Sequence, residues 1–151
     1  MSNDNKSMEY GPQGFDFKHA TPKALQDAYN AIAARSGDDR FLTRRELKRL
    51  PDLLMDHEQV LSFASGLMEG QSWLIVLTDQ RILFLNKRLF FGLIQSSIPL
   101  VRVNAISGNT GILFGTIGIQ DGASTRVVRN VMKRCVSSFV RDANEALAAR
   151  G

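Results

Sequence analysis

Two histidines, one cysteine and an uneven distribution of bases are the residues of this chain from which chemistry could be built. His19 sits in a polar N-terminal stretch, and His57 stands between Asp56 and Glu58. A general base must reach a proton on a reacting atom, and no nucleophile is marked beside either imidazole. The chain has no phosphate-cradling Walker loop, no dinucleotide fingerprint and no G-x-S-x-G elbow. No catalytic residue is therefore expected. The single cysteine, Cys135, excludes an intramolecular disulfide and a multi-cysteine zinc site. Its helical apolar surroundings predict an inert packed thiol. The segment Arg35–Glu46 has the length of a calcium loop, with Leu42 and Glu46 at its eighth and twelfth positions. Arg35 replaces the first oxygen ligand and Arg40 the glycine at the sixth position, so neither a metal nor a cofactor is expected.

Charge gives a positive indication. The net charge is +4, and residues 1–57 are balanced, with nine Lys/Arg against nine Asp/Glu, so the excess lies beyond them. Eight bases between Arg81 and Arg134 (Arg81, Lys87, Arg88, Arg102, Arg126, Arg129, Lys133, Arg134) face a single acid, Asp121. Such an imbalance attracts an anionic partner if the bases share a face, and otherwise makes a solvated rim. The turn Lys87-Arg88-Leu89-Phe90-Phe91 combines two cations with three large apolar side chains. Exposed, it would suit an anionic membrane interface or a partner's groove; folded back, it would close one end of the molecule. Arg126, Arg129, Lys133 and Arg134 are further anion-binding candidates. Phe63, Trp73, Phe84 and Phe114 lie among Leu, Ile and Val, which reads as core and disfavours a nucleic-acid stacking platform. No small-molecule substrate is indicated.

The elements that position these residues follow from periodicity. Residues 1–20 carry no usable pattern and are expected to form a mobile tail. Thr21 as N-cap and Pro22 at the first position begin a helix, with Leu25, Ala28, Tyr29 and Ile32 on one face and Gly37 beyond its end. Thr43-Arg44-Arg45-Glu46 fits a capping box, and Pro51 stops the second helix. Residues 21–57 thus read as a helical pair. Period-two and continuous apolar runs then predict seven strands near 59–67, 72–78, 81–87, 93–98, 102–113, 116–120 and 124–129. Val131–Ala149 returns to helix, with Val131, Cys135, Phe139 and Ala143 in one row and Met132, Val136 and Val140 in the next. Short strands at about ten-residue spacing indicate a barrel or sandwich. The expected core is Leu61, Phe63, Leu74, Val76, Ile82, Phe84, Ile98, Ile106, Ile117, Ile119, Val136 and Phe139.

The stretch Leu77-Thr78-Asp79-Gln80-Arg81-Ile82-Leu83-Phe84 resembles the second hairpin of bacterial pleckstrin-homology (PH) domains, with their Leu-Thr-x-x-Arg-hydrophobic pattern. Ser97-Ile98-Pro99, Ile106, Gly111-Ile112-Leu113-Phe114-Gly115, Ile117 and Ile119 are similar to the later strands of the YokE-like bacterial PH group. The resemblance covers roughly residues 58–145. It implies an α+β, mainly β fold: a seven-stranded antiparallel PH-like barrel over residues 58–151, capped by a C-terminal helix and preceded by the helical pair. It also implies a binding scaffold. Phosphoinositide-binding PH domains place Lys and Arg around their first hairpin loop, whereas Met68–Ser72 holds Glu69 and no base, so that site is not expected here.

The expected function is a non-enzymatic binding or assembly module, engaging a protein partner or a second copy of itself. Peripheral binding to an anionic membrane through residues 87–91 is the alternative. Met1–Tyr10 has no apolar leader core, and no apolar run approaches the ~20 residues that span a bilayer. A cytoplasmic setting, with any membrane contact peripheral, is therefore expected.

Overall fold

The computed structural model describes residues 14–38, 40–89 and 95–150. Helix α1 spans Pro22–Ser36. Thr21 accepts a hydrogen bond from the Ala24 amide, and Gly37 closes the helix at φ +74°, a left-handed conformation suited to glycine. Its buried face is Leu25, Ala28, Tyr29, Ile32 and Ala33. Helix α2, Arg44–Arg49, starts on the Thr43–Glu46 capping box and runs into a 3-10 turn, Leu50–Leu53, that contains Pro51. Tyr29 ties the two helices together, its hydroxyl accepting from the Leu42 amide at 3.1 Å.

Seven strands follow: β1 (Val60–Met68), β2 (Gln71–Thr78), β3 (Arg81–Asn86), β4 (Gln95–Pro99), β5 (Val103–Thr110), β6 (Phe114–Asp121) and β7 (Ser124–Met132). They form one antiparallel sheet in the order β4-β3-β2-β1-β7-β6-β5. The expected barrel is not closed by hydrogen bonds, since among the described residues β4 and β5 end the order as edges. The two halves join where β1 meets β7, with Leu67 opposite Arg129. Gly66 permits that crossing, because a Cβ there would lie 2.5 Å from the Arg129 carbonyl oxygen. The fifth strand stops three residues earlier than expected, at Thr110 rather than 113. The Gly111 amide donates to the Phe114 carbonyl at 2.8 Å, which turns the chain into a tight hairpin.

Helix α3, Lys133–Arg150, packs Cys135, Val136, Phe139, Ala143 and Ala146 against the sheet. All twelve expected core residues are buried. Phe63 is the centre of an aromatic cluster, with ring centroids 6.0 Å from Phe17, 5.7 Å from Tyr29 and 5.6 Å from Phe41. Residues 14–20 take part: Phe15 bridges Val60, and Phe17 is fully buried. Helix, pre-sheet segment and β1 thus share one core.

Candidate functional site

The Leu77-Thr78-x-x-Arg81 pattern builds a staple rather than a binding site. Glu58 is fully buried just before β1. Arg81 grips it with a fork, Nε donating to Oε2 at 2.9 Å and Nη2 to Oε1 at 3.1 Å. Thr78 Oγ1 donates to Oε2 at 2.6 Å and accepts from the Gln80 and Arg81 amides, which shapes the β2–β3 turn. The Met55 amide adds a fourth hydrogen bond to the carboxylate, and Arg81 Nη2 also reaches the Leu53 carbonyl. Burial alone raises the Glu58 pKa, but the hydrogen bonds from Arg81, Thr78 and Met55 outweigh it and hold the carboxyl below its ordinary value.

The eight bases do not share one face. Arg81 is consumed by the staple. Lys87, Arg88 and the backbone of Leu89 form a 3-10 turn after β3, with Lys87 half-buried and Arg88 exposed. Phe90 and Phe91 lie outside the described residues. Arg126 donates to Ser96 Oγ at 2.8 Å and lies 4.6 Å over the Phe84 ring, so β7 reaches across to β4 and β3. With Arg129, Trp73 and Glu69 it lines a cleft of about 540 Å³ at the mouth of the curved sheet. Arg126 and Arg129 share this cleft despite their three-residue spacing. β7 carries an irregularity beyond Val128, and Asn130 takes φ +54° there. Lys133 and Arg134 open α3 and line a different groove, against the end of α1.

One surface was missed by sequence reasoning. Ile112, Leu113 and Phe114 form the β5–β6 tip and are 91%, 69% and 52% exposed. The apolar run read as the continuation of a buried strand. Two signals in the sequence point the other way: Gly111 and Gly115 bracket the run, and no charged residue occurs from Val103 to Gln120. The tip leads directly into β5, whose outer edge has no strand partner among the described residues. Ala105, Ser107, Asn109 and Thr110 are exposed along it. The inner side of β5 is covered, since Gly108 lets α3 approach so closely that a Cβ would lie 2.7 Å from Val136 Cγ1.

Of the groups considered for chemistry, His19 and His57 lie at the surface and Cys135 is buried. His19 pairs with Asp16 at 3.0 Å on the surface. His57 is exposed at φ +67° in the segment that enters β1. Burial, helped by Asp38, pushes the Cys135 thiol up to about 11, which suppresses thiolate formation at neutral pH. Among the described residues no three His, Cys, Asp or Glu side chains gather into a metal site, and no helix is long and apolar enough to cross a membrane.

An antiparallel sheet with a C-terminal helix laid across it, held at the β2–β3 turn by the buried Glu58–Arg81 pair, makes a PH-like scaffold. The bacterial PH domain family matches residues 54–145, well over half of the chain, and the protein belongs to that family. PH domains are generally non-catalytic binding modules. No curated protein matches the chain. Helices α1 and α2 both lie before the matched region.

Proposed function

We propose that this protein is a non-catalytic interaction module that joins another protein chain, in the first place a second copy of itself, along the open edge of β5 and the hairpin tip beyond it. The observation that carries this reading is the uncharged hairpin of residues 103–120, with Ile112, Leu113 and Phe114 exposed at its tip. Sheet edges left in water are ordinarily protected by a charge, a proline or a short length, because free N–H and C=O groups template further strands. β4 ends in Pro99, whereas β5 has eight residues and none of these devices. An antiparallel pairing of two β5 strands about a twofold axis would satisfy both edges with the same surface. Ile112, Leu113 and Phe114 would then flank the junction and add apolar burial.

Sedimentation velocity tests this. The weight-average sedimentation coefficient is expected to rise with protein concentration. Leu113→Glu, which puts a charge into the apolar contact at each end of the junction, is expected to weaken association by tenfold or more, about 1.4 kcal/mol. A wild-type protein that stays monomeric at the highest attainable concentration would overturn the reading. The exposed Arg88 supports the competing reading, anionic-membrane contact through Lys87–Phe91. Salt-sensitive pelleting with anionic vesicles, abolished by Lys87→Glu with Arg88→Glu, would favour it.

A further inference from the structure

We infer that the groove between the end of α1 and the first half of α3 is an anion site for a ligand carrying two or more phosphate groups. The groove measures about 510 Å³ and is lined by Arg35, Lys133, Arg134, Ser137 and Arg141, with Gly37 at its wall. Among the described residues, the carboxylate that pairs with these bases is Asp142, buried beneath them. It lies 3.9 Å from Arg35 Nη2 and 3.4 Å from Arg141 Nε. Four cations against one buried anion leave a surplus of three positive charges. Lys133 and Arg134 are exposed and make no ion pair with a described residue.

The geometry is partly preorganised. The Leu61 carbonyl accepts from the Arg35 guanidinium, Asp142 Oδ2 lies nearby without a hydrogen bond of its own, and Asp142 Oδ1 accepts from Arg141. The Arg134 stem lies across Gly37, where a Cβ would come within 2.6 Å of Cδ. Any other residue at this left-handed C-cap would displace the Arg134 stem. α3 has no acid in its first turn, so nothing there offsets the positive partial charge of its N-terminus. α1 brings the opposite partial charge, which Arg35 in its last turn offsets. Planar guanidinium forks match the paired oxygens of phosphate, and the exposed Ser137 hydroxyl is a further donor. A surplus of three charges within one groove fits a compact polyanion better than carboxylates spaced along a peptide. Arg35 lies outside the region that matches the family, so the groove requires the helix that precedes the PH-like sheet.

The ligand could be a phosphorylated lipid headgroup or a free phosphorylated solute, and the experiment separates them. Titration of the full chain with inorganic tripolyphosphate, followed by calorimetry, is expected to give saturable binding that weakens with salt. Lys133→Gln with Arg134→Gln is expected to reduce affinity about tenfold or more. Lys87→Gln with Arg88→Gln is expected to bind as wild type. Lys133→Gln alone repeats the test should the double variant melt at a lower temperature. Sedimentation with cardiolipin-containing vesicles, lost in the same variant and competed by tripolyphosphate, would identify the lipid source. Tripolyphosphate binding without vesicle sedimentation would identify the free one. Absence of binding, binding undiminished in both Lys133 variants, or equal affinity for polyglutamate would overturn the inference.

Discussion

Arg81→Met is expected to lower stability by about 3–5 kcal/mol, because it strands the Glu58 carboxylate in a fully buried position. The pair is not itself a large source of stability; the penalty comes from leaving one partner unmatched. A second change, Glu58→Leu in the Arg81→Met background, is therefore expected to recover most of the loss. Urea unfolding of the two variants and wild type measures both effects. The acid dependence has a definite sign. In the wild type the folded-state pKa of Glu58 is depressed, so its contribution is present above the ordinary carboxylate range and is lost as pH falls through the depressed value. Without Arg81, burial raises that pKa, and acidification relieves the penalty. The stability gap between wild type and Arg81→Met is expected to narrow as the pH falls. A gap that stays constant or widens would remove the ion pair from this role.

Phe63→Ala carries the second large effect. The ring is fully buried and touches Phe17, Tyr29 and Phe41, contributed by three segments that precede the sheet. Truncation is expected to cost about 3–5 kcal/mol. In a chain of this size that lowers the melting temperature by about 10 °C. Phe17→Ala is expected to show a loss of similar kind, because its side chain is also fully buried. If calorimetry finds Phe17→Ala neutral, the pre-sheet segment does not belong to the cooperative core.

How much was readable in the sequence depended on whether the governing interaction was local. Both helix starts were legible, since Thr21 and the Thr43–Glu46 box act on backbone amides three residues away. The core positions Ile117 and Ile119 of β6 were legible for the same reason, since the pleat puts alternate residues inside, and the continuous apolar runs of β2 and β3 marked strands buried on both faces. The role of Arg81 was not, because its partner lies 23 residues earlier and the resemblance supplied only a pattern. The open sheet was hidden as well. Strand order, the single β1–β7 register pair and the edges at β4 and β5 arise from tertiary packing. Among the candidate site residues, Arg126 looked like a free base but is bound to Ser96 and Phe84. Lys133 and Arg134 read as anion-binding candidates beside Arg126 and Arg129, while the structure sets them in a groove completed by α1. Ile112–Phe114 misled because a run of large apolar residues normally signals burial; the turn at Gly111 carries it into water instead.

The claim that β5 is an assembly edge is tested most directly by amide hydrogen exchange measured at increasing protein concentration. Amides along Val103–Thr110 that have no partner in β6 are expected to exchange fast in dilute solution and to slow as concentration rises. In Leu113→Glu they are expected to stay fast. Exchange along β5 that is independent of concentration in the wild type would contradict the account.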